Sequence, residues 1–203
     1  MDTGDRAIGE ASVREARRNG EFGAHGCGNV EAFEKDLKLF AAVTADADDE
    51  RVDRAVRDVL RLVREHLQMD VAFVSCVQDG RRAFRNVDPA DGREVVIEGA
   101  SDPEEASFCR QVIDDRLPQL VRDVNTLTNF AELPRTPFRI GAHMSTPIRL
   151  FDGTVYGTLC CFSFAPNPAL AERDLKRLQM AAQMTARLID QARRNGRDVS
   201  QVA

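Results

Sequence analysis

No apolar run in this 203-residue chain is longer than a strand. The two longest, Val71–Val77 and Tyr156–Phe164, fall well short of the roughly 20 residues needed to cross a bilayer. Nor does Met1–Gly28 hold the apolar segment of a secretory signal, so the chain is expected to be cytoplasmic, with no membrane partner. Basic residues are in deficit, 28 Lys and Arg against 33 Asp and Glu for a net charge of −5. That balance weighs against a nucleic-acid partner, which needs a basic face. There is no CxxC pair and no internal repeat. The five cysteines, Cys27, Cys76, Cys109, Cys160 and Cys161, are an odd set. They read as buried thiols in a reducing compartment rather than a disulfide framework. Free cysteine packs as a small hydrophobe, and Cys160 and Cys161, if in a strand, point to opposite faces.

What is present suffices for one core: 43% of the residues are hydrophobic, which excludes wholesale disorder. Residues 1–29 hold six of the thirteen glycines and few large apolar residues, and are read as a disordered tail. His25 and Cys27 in that tail are too few to bind a metal. A helix over Val30–Thr44, with Phe33, Leu37, Phe40 and Ala41 at helical spacing, would occupy a linker at 30–46. A second helix runs from Asp49 to Gln68 on a stripe of Val52, Val56, Val59, Val63 and Leu67, entered through acidic residues that suit a helix N-terminus.

Val71–Gln78 is apolar on both alternating sets, as in a central strand covered on both faces. Asp79-Gly80 predicts a tight turn into Arg81–Val87. Asp88–Gly99 reads as a loop, within which Glu94–Glu98 has strand character. Ser101-Asp102-Pro103-Glu104-Glu105 has the form of a helix start, cap then proline then acids, predicting a helix to Asp115. Gln119–Arg122 is a brief strand, and Asp123–Phe138 an irregular stretch long enough to be a lid or binding loop.

A second hairpin, Ala142–Phe151 with Thr154–Phe164, turns at Asp152-Gly153. Pro147 within it belongs at an edge or a broken ladder position, which places an opening of the sheet near Ser145–Ile148. Gly157 allows a bend or a close backbone approach. Asn167-Pro168 caps a long helix to Asn195, with a heptad-like seam of Ala171, Leu175, Leu178, Ala182, Thr185, Ile189 and Ala192. Residues 196–203 form a C-terminal tail. The order of elements predicts an α+β fold around one antiparallel sheet.

Ser107-Phe108-Cys109, Leu120-Val121-Arg122-Asp123, Ser145-Thr146-Pro147-Ile148, Phe151-Asp152-Gly153 and Tyr156-Gly157-Thr158-Leu159-Cys160-Cys161 follow one another in the chain. In that order they resemble the GAF domain of bacterial sensor proteins, over 47–195. The resemblance implies a GAF/PAS-like α+β fold, a central antiparallel sheet flanked by helices on both faces. It also implies a cavity on one face, roofed by the helix carrying Ser107–Cys109 and by the Asp123–Phe138 stretch. Candidate ligand-binding residues are Phe73, Phe84, Phe108, Cys109, Asp123, Phe138, His143 and Met144. The terminal helices would lie on the opposite face and mediate a homodimer.

Sharper assignments find little support in the residues. The cyclic-nucleotide signature of some GAF domains has no counterpart beyond Asn129-Phe130, and no Gly-rich phosphate cradle enters a helix. Bilin-binding relatives place a histidine after the attachment cysteine, where this chain has Arg110 or Phe162. His143 is the one histidine expected near the cavity, and so the one candidate for haem. No nucleophile-elbow or triad motif is visible, and no catalytic or metal residue is assigned. The reading is a non-catalytic sensory module that binds an unidentified small molecule and signals through its terminal helices, to a separate effector or within a larger sensor. The cofactor, if any, is unread. One alternative is a thiol-based redox sensor or enzyme using Cys109, another a dimerisation scaffold with a filled pocket.

Overall fold

The computed structural model describes residues 33, 35–37 and 49–194. The expected tails at 1–29 and 196–203, and most of the helix expected over Val30–Thr44, lie outside them. Within that helix Phe33 and residues 35–37 are helical, with Phe33 and Leu37 buried.

Helix α1, Asp49–Leu67, buries Val52, Val56, Val59, Val63 and Leu67 as its stripe predicts. It leads into β1, Val71–Gln78, and β2, Arg81–Pro89. Asp79 and Gly80 both have positive φ, 51° and 71°, the two-residue turn whose twist matches the strands it joins.

Ser101–Pro103 is then a strand, β3, and not the start of a helix. The edge of β2 takes Ser101 and Asp102 as ladder partners. Arg81 hydrogen-bonds the Ser101 hydroxyl and Arg82 grips the Asp102 carboxylate, so these polar side chains serve the strand instead of a helix cap. After one 3₁₀ turn the helix α2 occupies Phe108–Ile113. Its cap is Ser107, whose hydroxyl accepts from the Arg110 N–H at 3.1 Å. Glu94–Glu98 is not a strand.

The short β4, Leu120–Val121, β5, Ala142–Arg149, and β6, Val155–Ser163, complete the sheet. Beyond Arg149 and Val155 the Leu150 N–H still donates to Thr154 O at 2.9 Å, leaving three residues in the turn rather than two. Gly153 N–H donates to Leu150 O at 2.9 Å, and Gly153 takes φ of 83°, a turn followed by a glycine bulge. The six strands run antiparallel to their neighbours in the order β3-β2-β1-β6-β5-β4. Pro147 lies in β5 beyond the reach of the two-residue β4, which pairs only with His143 and Met144, so its missing N–H costs no ladder bond. The sheet does not open there: Ser145, Thr146 and Ile148 are all buried. Gly157 marks a close approach, since a Cβ on it would sit 1.9 Å from the Ser75 carbonyl oxygen of β1.

Helix α3, Glu172–Arg194, starts later than the Asn167-Pro168 cap predicts. Asp174 reaches back to the Ala171 N–H at 2.8 Å and closes the first turn. Asn167 instead donates to Leu67 O and accepts from the Ala169 N–H. Helices α1 and α3 pack side by side on one face, over Ala72, Val74, Met144, Ile148, Leu159 and Cys161. The α3 seam of Leu178, Ala182, Thr185, Ile189 and Ala192 is buried within this layer. On the other face, β1 and β6 present Phe73, Cys160 and Phe162. There α2 and the 3₁₀ turns cover Val121 and Val124 with Phe108, Val112 and Leu133.

Candidate functional site

The face opposite α1 and α3 is incompletely filled. A cavity of about 280 Å³ lies between β1, β2 and β6 below, α2 at one side, and two loop segments above. Its walls are aromatic. Phe73 meets Phe84 edge-on at 5.1 Å, Phe138 stacks on Phe162 at 5.2 Å, and Phe108 leans on the His143 ring at 5.3 Å. Its exposed lining residues include Val95, Ile97 and Ala100 of the β2–β3 loop and Arg135 and Pro137, and Ile97 is 70% exposed. Glu98 pins that loop at the sheet edge, pairing with Arg57 of α1 at 2.6 Å and accepting from the Val87 N–H.

The floor is polar. The α2 cap turns Cys109 inward, and Arg82, reaching over the Phe84 ring from β2, donates to the Cys109 sulfur at 3.3 Å. Asp102 holds the guanidinium in place through Nε at 2.9 Å and through a second contact from Nη2. Cys160, on β6, packs in the same apolar cluster as Cys109 and lies 3.3 Å from His143 Nε2. Ser75 and Thr158, paired across β1 and β6 at 2.9 Å between hydroxyls, close the floor.

The charge of this cluster settles on Cys109. A hydrogen bond from Cys160, working against burial and joined by the Arg82 charge and a hydrogen bond from Thr158, draws the Cys109 thiol down to about 5. Burial and the neighbouring Cys109 hold Cys160 well above an ordinary thiol. Of the two sulfurs, only that of Cys109 is hydrogen-bonded by the guanidinium, which adds to that division. Burial first, then repulsion from Arg82, lowers His143 to about 3, so its ring is neutral. His143 is 1% exposed and its Nδ1 has no hydrogen-bond partner.

Of the residues predicted to contact a ligand, Phe73, Phe84, Phe108, Cys109, Phe138 and His143 line the cavity. Met144 does not: it is fully buried under α1 and α3, because neighbours in β5 face opposite sides. Asp123 also lies elsewhere, accepting from the Asn125 N–H at 3.0 Å to cap a 3₁₀ turn. Only the end of the Asp123–Phe138 stretch reaches the cavity.

Sequence reasoning missed Arg82, Asp102, Val95, Ile97, Cys160 and Phe162. The alternation of Arg82 and Phe84 carries a signal for Arg82, since it sets both on one face. Arg110, the basic residue beside Cys109 in sequence, turns away to Glu104 and Asp114. Cys109 and Cys160, distant in the chain, are neighbours. Among the described residues no three His, Cys, Asp or Glu side chains group to hold a metal ion, and no helix is long and apolar enough to cross a membrane.

An antiparallel sheet with paired terminal helices on one face and a small-molecule-sized hollow on the other defines the GAF class of fold. The GAF family model matches residues 51–189, and the chain belongs to that family. Solved structures agree in fold. The GAF domain of an Acinetobacter phosphoenolpyruvate-protein phosphotransferase superposes with a TM-score of 0.63 at 11% identity, over 81% of this chain and 94% of that one. Free methionine-R-sulfoxide reductase of Neisseria meningitidis, solved with its substrate, gives 0.62 at 15%, over 84% and 97%. A phycocyanobilin-bound GAF domain of a cyanobacterial phytochrome gives 0.64 at 16%, over 83% and 97%. A search of curated protein sequences finds no match.

Proposed function

We propose that this chain is a non-catalytic sensory module, its domain spanning 47–195, whose cavity takes a small, largely aromatic or aliphatic molecule. The carrying observation is the cavity itself: five phenylalanine rings around a floor holding Arg82, Cys109 and a histidine nitrogen without a partner. An apolar pocket with few convergent polar groups is the usual form of a small-molecule site. The solved relatives holding a substrate or a phycocyanobilin support the reading by analogy of fold. Phe73, Phe84, Phe108, Phe138, Cys109 and His143 are the proposed contacts, with Arg82 added. A ligand changes the output only if it favours one arrangement of α1 and α3 over another. The recipient is a separate effector or another part of a larger sensor.

The test is a thermal-shift screen of nucleotides, tetrapyrroles and small metabolites on the wild type and on Ala100→Phe. Ala100 is an exposed lining residue, so the added ring narrows the cavity without entering the core. The expected result is a shift with at least one compound that disappears in the variant. Equal shifts in both proteins would place binding outside the cavity.

A further inference from the structure

We propose that Cys109 and Cys160 form a peroxide-reactive thiol pair. Cys109 attacks an organic hydroperoxide admitted to the aromatic cavity, and Cys160 then closes a disulfide on it. The substrate class rests on the reading that this cavity admits a small molecule; the thiol chemistry rests on the floor. Three features there converge. Two cysteines from separate elements sit in one buried apolar cluster and line the same hollow. A guanidinium donates to one of them at 3.3 Å and a ring nitrogen lies 3.3 Å from the other. Both cysteines line a hollow that the exposed Ile97 also lines.

A thiolate, not a thiol, attacks peroxide oxygen, and Arg82 keeps Cys109 in that form. The Cys109 sulfur takes the terminal oxygen of the hydroperoxide. An S–O bond forms, the O–O bond breaks, and the alkoxide leaves as the alcohol after taking a proton from water. Cys109 is then a sulfenic acid. The Cys160 sulfur, held 3.3 Å from His143 Nε2, attacks the Cys109 sulfur. The S–O bond breaks, the S–S bond forms, and the departing hydroxide leaves with the Cys160 proton as water. In sum, one thiolate, one thiol and one hydroperoxide become a disulfide, an alcohol and a hydroxide ion. One equivalent is consumed, so the pair records exposure rather than turning over. The aromatic walls favour an organic peroxide over hydrogen peroxide, which has no apolar part to bury.

The experiment uses the full chain carrying Cys27→Ser, treated with one equivalent of cumene hydroperoxide and digested for peptide mass analysis. The expected product links the Cys109 and Cys160 peptides with loss of two hydrogens. In Cys160→Ser, or Cys160→Ala should the serine variant misfold, dimedone labels Cys109. In Cys109→Ser, Cys160 stays reduced. Arg82→Gln slows the reaction by about tenfold at pH 6, by lowering the thiolate fraction. Ala100→Phe slows cumene hydroperoxide and spares hydrogen peroxide. Survival of both thiols, or oxidation of Cys160 at the same rate without Cys109, overturns the thiol pair while leaving the thermal-shift result on the cavity standing. Disulfide formation from cumene hydroperoxide that Ala100→Phe does not slow overturns the cavity as the route of entry, and with it the choice of an organic substrate.

Discussion

Arg82 sets the chemistry of the floor through one contact, and this is measurable by pH. With Cys109 drawn down to about 5, its alkylation by iodoacetamide should reach half its plateau rate near pH 5. In Arg82→Gln the midpoint should move up, with part of the depression remaining through the hydrogen bonds from Cys160 and Thr158. An unchanged midpoint would mean that another group holds the charge. His143 gives a second pH signature. Its folded value is lowered to about 3 from 6.5, so between these the unfolded chain binds a proton that the folded chain does not. Stability therefore falls as pH drops through that window, by up to about 1.4 kcal/mol per unit, and the group contributes no slope above it. Urea unfolding at pH 7, 5.5 and 4.5 should show a shallower decline in His143→Gln than in the wild type.

Among the elements, the turns and close approaches set a clear order of costs. Gly157→Ala would press a Cβ to 1.9 Å from the Ser75 carbonyl oxygen, between the two central strands, where neither backbone can yield. A loss of about 4 kcal/mol or more is expected. Gly153→Ala, with φ of 83° but open space around it, should cost only about 1 kcal/mol. Ser107→Ala removes the α2 cap and should cost about 1 kcal/mol, while also loosening Cys109, so its alkylation profile should broaden. Denaturant midpoints check all three, and a Gly157→Ala protein as stable as Gly153→Ala would contradict the strand geometry. The same elements show where sequence patterns suffice. Strands β1, β5 and β6 and helix α1 were legible because their side-chain periods match their burial. Ser101–Glu105 was misleading because Ser, Asp and Pro suit a helix start and an edge strand equally. Only the tertiary partner, β2, decides between them.

At the scale of the whole molecule, α1 and α3 spend their apolar stripes on the sheet. The heptad-like α3 seam is covered by the chain's own core. Leu178→Ala should therefore cost about 2–5 kcal/mol of unfolding free energy at any protein concentration; a concentration-dependent loss would instead assign the seam to an interface between copies. The cavity was legible in its phenylalanines and in Cys109, because GAF-like motifs fix the order of strands and the capped helix. Its floor was not. Arg82, Asp102 and Cys160 come from three strands, and their meeting depends on register, which no local pattern states.

Cys160 and Cys161 are consecutive residues seated in opposite layers, one at the cavity floor and one beneath α1 and α3. A single peptide unit is thus the whole thickness of wall between the chamber and the helices. Tugging one sulfur toward a neighbour tilts that unit, and the next sulfur must re-seat against helical side chains that have no slack. Deuterium uptake along α1 and α3, compared before and after peroxide treatment, would show whether the tilt is felt there; identical uptake would mean the wall does not transmit it.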